Sequence, residues 1–223
     1  MQNILSIATR QELRDWYLAN ANRETEMYLR VNRSWTPKEN TVMYVDAVEE
    51  ALCFGWIDST SRKIDGIAYS RFSPRRKGSN WTELNKARCR RLISLGLMTE
   101  AGISVLPDID KSHFKIDDWI LSQLQADAKV WEFLQSCPQL FVRVRVDNIR
   151  FYEKMKRHED AQRQLDKLIS SARCGKIYGE WNDRGRLDDN GKSANKKGCY
   201  IRVDAMCFCT MHSESFHKTK RTD

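Results

Sequence analysis

A chain of 223 residues, 41% of them hydrophobic, can bury a substantial core, which excludes disorder along its whole length and leaves one long domain or two small ones packed together. No run approaches the roughly 18 uninterrupted apolar residues that a bilayer-spanning helix needs, and the opening MQNILSIATR has neither a basic n-region nor a cleavable apolar core. A soluble, unexported cytoplasmic protein with no integral membrane insertion is expected. The net charge of +8 is concentrated: between Arg71 and Arg91 eight cations (Arg71, Arg75, Arg76, Lys77, Lys86, Arg88, Arg90, Arg91) face the single acid Glu83. Such a focus either attracts phosphates, carboxylates or a nucleic acid backbone, or is the solvated face of a basic helix. The odd count of seven cysteines, with Cys53 and Cys89 inside helical patterns and no compact CxxC, argues for reduced thiols rather than a disulfide framework.

Thr9 followed by Glu12 has capping-box spacing, and Leu13, Trp16 and Tyr17 predict a helix over about 10–20. EMYLRV at 26–31 reads as a short strand and SWTPKEN at 34–40 as a loop. Val45, Val48 and Leu52 give a second helix, closed by Gly55. Asp65-Gly66 between Ile64 and Ile67 is a type I′ hairpin signal. That turn predicts pairing of Arg62 with Tyr69, Thr60 with Arg71 and Asp58 with Ser73. One face would then gather Trp56, Asp58, Thr60, Arg62, Tyr69, Arg71 and Ser73, with Arg75 just beyond. The other face would be too polar for an ordinary core side.

Pro74 stops the ladder, and Asn80 with Glu83 caps a helix running to about Leu95 before Gly96, with Trp81, Leu84, Leu92 and Leu95 inward and Lys86, Arg90 and Arg88 outward. Thr99 caps a further short helix. KIDDWILSQLQ, AKVWEFLQS and DAQRQLDKLISSARCG carry helical stripes. FVRVRVDN at 141–148 fits both periods and is assigned to helix, because Pro138 suits an N-terminus and both neighbours are helical. From about Asn182 apolar periodicity is lost and a mobile tail is expected. The fold class is thus α+β and predominantly helical, with a β-hairpin and a small extra strand. Its units are an α+β part at 1–105, a helical part at 106–187 and a tail at 188–223.

The blocks AVEEALCFGWIDS at 47–59, RFSPRRKGSNWTELNKAR at 71–88 and GLMTEAG at 96–102 resemble the YdeI or OmpD-associated family of bacterial proteins, also labelled bacteriocin-protection proteins. The similarity spans about residues 9–105, and the helical segment from about 111 to 187, including KIYGEWNDRGRL, looks like the second half of such proteins. The resemblance implies a fold and an association with resistance to bacteriocins or cationic antimicrobial peptides; it implies no catalytic mechanism. Some relatives are labelled thymidylate synthase, a chemistry that uses a Pro-Cys-His segment. Here Cys137 precedes Pro138 with no His following.

The sharpest candidate site joins Asp58 with Arg71 and Arg75, flanked by Trp56, Tyr69, Arg62 and Trp81. Planar guanidinium donors suit a carboxylate or phosphate, and an adjacent Asp can hold one arginine while leaving another free. The structural alternative is an internal salt bridge fixing the hairpin against Trp81. A nucleic acid could track helix 81–95 with Trp81 stacking on a base, and that helix could touch a membrane surface. Cys53 is read as a buried structural cysteine, since a helix C-terminus disfavours a thiolate. Cys199, Cys207, Cys209, His212 and His217 are soft ligands within nineteen residues, but the spacing is not that of a standard finger, and neither a metal nor a cofactor is expected. The expected function is a stress-protection protein binding an anionic small molecule or phosphate-bearing partner; the alternatives are an enzyme on an anionic substrate with Asp58 as acid/base, and non-specific nucleic-acid binding.

Overall fold

The structure is a computed structural model and describes residues 3–34, 36 and 38–187. After a two-residue strand β1 (Ile4–Leu5), Thr9 opens helix α1 (Arg10–Asn20). The Thr9 hydroxyl accepts from the Glu12 amide at 3.1 Å, and the Glu12 carboxylate reaches back to the Ala8 amide at 3.0 Å, closing the expected box. Leu13 and Tyr17, one turn apart, are the residues α1 buries. The strand expected at 26–31 is divided. β2 (Met27–Leu29) joins β1 in parallel, while β3 (Val31–Asn32) leaves it for a parallel pair with β4 (Val42–Met43).

Helix α2 (Tyr44–Cys53) is buried from Ala47 to its end. Gly55 then takes φ 75°, and its amide bonds the Leu52 carbonyl at 3.2 Å. The hairpin follows as β5 (Trp56–Ile64) and β6 (Ile67–Pro74), turning on Asp65 and Gly66 at φ 48° and 79° as a type I′ turn requires. β6 also pairs antiparallel with β2, so the sheet order is β1-β2-β6-β5.

Helix α3 (Glu83–Ser94) starts later than Asn80 would place it. Thr82 is the cap, accepting from the Asn85 amide at 3.2 Å, because the Glu83 amide is already taken at 3.0 Å by the Asp147 carboxylate from a distant helix. Thr99 caps α4 (Glu100–Ser104) as expected, and its hydroxyl also donates to the Cys53 carbonyl at 2.7 Å. A 3₁₀ turn at Lys111–His113 leads to α5 (Asp118–Gln125), α6 (Ala128–Ser136), α7 (Gln139–Lys154) and α8 (His158–Arg173). FVRVRVDN lies inside α7, so the helical period prevails. Among the described residues no helix is long and apolar enough to cross a membrane.

The architecture is α+β and predominantly helical, with two apolar clusters. One joins α1, α2 and the sheet through Leu13, Tyr17, Leu52, Trp56 and Phe72; the other joins α6, α7 and α8 through Leu134, Phe141, Val146 and Leu165. Helix α3 serves both, giving Cys89 and Leu92 to the first and Ala87 to the second.

Two expectations are corrected here. The segment from Asn182 is not an exposed tail as far as Leu187: Trp181, Asn182, Asp183 and Leu187 are buried. Nor does Arg88 face out, since its guanidinium meets Asp183 in a two-point bond at 2.8 Å on both sides. That ion pair holds a polar segment in place where apolar periodicity could not reveal it. The tail proper, with its Cys and His ligand set, lies outside the described residues.

Gly102 of α4 faces the end of α2 so closely that a Cβ there would overlap the Cys53 carbonyl oxygen, and Gly55 meets the Ala101 carbonyl at 2.9 Å in the same way. Gly102→Ala is therefore expected to lower stability by about 1–3 kcal/mol, the range for overpacking against a neighbour that cannot yield. Urea denaturation measures this, and a variant as stable as the parent would show that α4 does not press on Cys53.

Candidate functional site

The hairpin keeps the register set by its turn only as far as Ser61 opposite Ser70. A bulge between Asp58 and Ser61 then shifts it by one residue, so that Asp58 lies opposite Phe72, Ile57 opposite Ser73 and Trp56 opposite Pro74. The predicted pairs Asp58 with Ser73 and Thr60 with Arg71 are thereby overturned. Because side chains alternate, the shift moves Trp56 and Asp58 to the inner face with Phe72, while Arg62, Tyr69 and Arg71 stay together on the outer face.

On the outer face Arg71 donates to Glu26 at 2.7 Å and to the Ser59 hydroxyl at 3.2 Å. Arg62 is exposed near the tip and Tyr69 half-buried. Trp56, on the inner face, is 1% exposed and meets Trp16 and Tyr17 edge-on at centroid distances of 5.9 and 5.4 Å, so it is core. Asp58 accepts from the Tyr44 hydroxyl at 2.7 Å. Burial, reinforced by that carboxylate, pushes the Tyr44 phenol up to about 12, so it stays a donor. Asp58 and Arg71 do not converge.

Arg75 is the predicted residue that remains notable. It is 9% exposed, and its guanidinium lies 3.4 Å over the Trp81 ring. One terminal nitrogen reaches the Asn80 carbonyl at 3.2 Å and the Ser79 hydroxyl at 3.4 Å, while Nε and the other terminal nitrogen are buried without a partner. Among the described residues no carboxylate lies within ion-pair distance of it. Burial pulls this group down to about 10, with the charge of Asp58 opposing the shift.

Sequence reasoning did not single out Tyr44, or Arg33, whose guanidinium lies 4.0 Å over the Tyr44 ring and donates to the Ser70 hydroxyl at 3.2 Å. It also did not foresee the ion network inside α2. Glu49 and Glu50 are fully buried; Glu49 pairs with Arg10 at 2.7 Å and Arg91 at 2.9 Å, Glu50 with Arg10 at 2.6 Å and Arg14 at 2.8 Å. Arg186 adds a 2.6 Å pair to Asp46. The available signal was the acidic doublet inside the otherwise apolar run AVEEALC.

Cys53 is buried and its thiol pushed up to about 11, first by burial and then by Glu50, which suits a structural cysteine and not a nucleophile. Beside Trp81, a cleft of about 630 Å³ opens between the start of α3, α7 and the 108–117 segment. Trp81, Phe114 and Phe151 are its aromatic lining, and Glu83 and Asp147 lie within it.

Replacing Glu49 by Gln leaves Arg91 and one side of Arg10 without their buried counter-charge, and should cost about 3–5 kcal/mol. Glu26→Gln, at the partly exposed Arg71 pair, should cost about 0–1 kcal/mol. Chemical denaturation compares them, and equal losses would contradict the assigned burial.

Residues 5–105 match the family model of a domain of unknown function, DUF8412. No curated protein and no solved structure matches the chain.

Proposed function

We propose that the protein is a cytoplasmic stress-protection protein of the YdeI or OmpD-associated kind, whose molecular act is to bind an anionic small molecule or the phosphate of a larger partner at Arg75. The observation that carries this reading is the guanidinium itself, buried, charged and lacking an acceptor for two of its nitrogens. Leaving charged donors unpaired away from water is costly. The neighbouring acid Asp58 already accepts from Tyr44. An anion supplied from outside would satisfy Arg75. Trp81 covers the guanidinium on one side and lines the adjoining cleft on the other, so entry runs past its indole. Arg75 and Trp81 both fall in the block RFSPRRKGSNWTELNKAR that carries the resemblance.

The outer-face cations Arg62 and Arg71 are separate from this site, and Asp58 as a catalytic acid/base has no specific support beyond its place near Arg75. Thermal melts with inorganic phosphate, pyrophosphate, nucleotides and short oligonucleotides test the reading. A ligand at a hundredfold excess over its Kd adds about 2.7 kcal/mol, a shift of several degrees. Arg75→Gln should abolish that shift without lowering the melting point of the unliganded protein, since it removes an uncompensated charge; Arg71→Ala should preserve it. Loss of the shift in Arg71→Ala and not in Arg75→Gln would overturn the site, and a shift given by oligonucleotides alone would favour nucleic acid instead.

A further inference from the structure

Most of the carboxylates lining the cleft beside Trp81 are bonded from within the protein. Asp117 is gripped by Arg150 through two bonds at 2.9 and 2.8 Å, and Glu83 pairs with Lys86 at 2.9 Å and with Arg143 at 3.4 Å. Asp108 bonds His113 at 2.7 Å, Asp110 lies 4.0 Å from the same ring and accepts from the Ser112 hydroxyl at 2.8 Å, and Glu153 bonds His158 at 2.8 Å. Asp147 makes no close ion pair among the described residues, the charges of Lys86 and Arg150 acting on it from further off. One of its oxygens accepts from the Glu83 amide at 3.0 Å, and the other has no recorded hydrogen bond. Burial, with the Glu83 charge adding to it, holds this carboxyl above the usual carboxylate range.

Two cations of the lining, Lys115 and Lys154, are exposed and make no ion pair with a described residue. The charged groups of the lining that lack a close ion pair are therefore the half-buried Asp147 of one sign and the exposed Lys115 and Lys154 of the other. Trp81, Phe114 and Phe151 line the same cleft and offer flat apolar surface. Phe114 already has the Arg150 guanidinium 4.7 Å from its centroid, a geometry that suits these rings to cations. A volume of about 630 Å³ is ample for a small molecule.

We propose that this cleft binds a small amphoteric molecule, with an ammonium group seated on Asp147, an apolar or aromatic body against Trp81 and Phe114, and a carboxylate or phosphate at Lys115 and Lys154. The Asp147 end selects for positive charge, because a neutral or anionic group there would leave the carboxylate unpaired or repelled. The rim lysines, being solvated, add a weaker preference that salt screens. This site is independent of the anion position at Arg75 and stands or falls without it.

Three matched probes test the assignment by calorimetric titration on the full chain: 4-(aminomethyl)benzoate, benzylamine, which lacks the anionic end, and 4-methylbenzoate, which lacks the ammonium. The expected order is 4-(aminomethyl)benzoate tightest, benzylamine several-fold weaker and 4-methylbenzoate at least tenfold weaker than benzylamine. Asp147→Asn keeps an oxygen for the Glu83 amide, so the fold should hold while both amines lose at least tenfold in affinity. Phe114→Leu, which leaves that hydrogen bond alone, should weaken both amines several-fold, and Arg75→Gln should change neither. Equal binding of 4-methylbenzoate and benzylamine, amine binding unaffected by Asp147→Asn and Phe114→Leu, or no amine binding at millimolar concentration would overturn the proposal.

Discussion

Two carboxylates without access to water, Glu49 and Glu50, constrain the placement of much of the rest of the chain. Adjacent on α2, they share Arg10, and their remaining counter-charges come from more than one direction. Arg10 and Arg14 arrive from α1 and Arg91 from α3. Arg186, from beyond the last long helix, lies 3.5 Å from Glu49 as well as pairing with Asp46. A buried charge that loses its partner is far more damaging than an apolar contact that loosens. The network therefore specifies which elements surround α2 more strictly than the aliphatic residues beside it could. Arg88 with Asp183 repeats the device one turn along α3, and together the two clusters fasten the residues after α8 to the N-terminal unit.

The same requirement explains what becomes of the cationic focus between Arg71 and Arg91. Arg71 is bound to Glu26, Lys86 to Glu83, Arg88 to Asp183 and Arg91 to Glu49, while Arg90 donates to the Ile109 carbonyl at 2.8 Å. Arg76 and Lys77 remain at the surface, and Arg75 is buried without a counter-ion. A local charge count sees cations that are close in sequence and is blind to acids as much as 95 positions away. What reads as an electrostatic patch along the chain is in space a set of bonded groups and two solvated cations, with Arg75 as the exception, buried and lacking a counter-ion. That exception, rather than the total, is what bears on recognition.

The caps at Thr9 and Thr99, the hairpin turn at Asp65-Gly66 and the helical period of FVRVRVDN were all legible, because each depends on residues within a few positions of one another. The bulge was not read, although the sequence held a sign of it. With the turn's register carried to the end of the hairpin, Trp56 and Phe72 fall on opposite faces and neither face is apolar enough to be buried. A slip of one residue brings both onto one face over Tyr17 and Leu52, and the burial of two large aromatic side chains outweighs the ladder bonds disturbed at Ser59 and Thr60. The same slip separates Asp58 from Arg71. The strands β1, β3 and β4 are two residues each, too short for any alternation to register. Asn182 and Asp183 are buried by a partner on α3, which no local pattern encodes.

Packing and charge pairing account for most of the residues in the blocks AVEEALCFGWIDS, RFSPRRKGSNWTELNKAR and GLMTEAG. Glu49 and Glu50 anchor arginines, Gly55 and Gly102 let α4 approach α2, Trp56 fills the core, and Arg88 fixes the last described segment. This accounting leaves the cation Arg75 without a counter-ion, and outside the blocks the acid Asp147 makes no close ion pair; both are in the neighbourhood of Trp81. Opposite charges this poorly compensated would gain by meeting. Trp81 lies against the Arg75 guanidinium at 3.4 Å while contributing to the wall of the cleft that contains Asp147, and neither charge pairs with the other. A fold that pairs Glu49, Glu50, Arg88 and Asp183 internally, yet holds these two apart beside one indole, leaves bonding capacity there that a ligand can use.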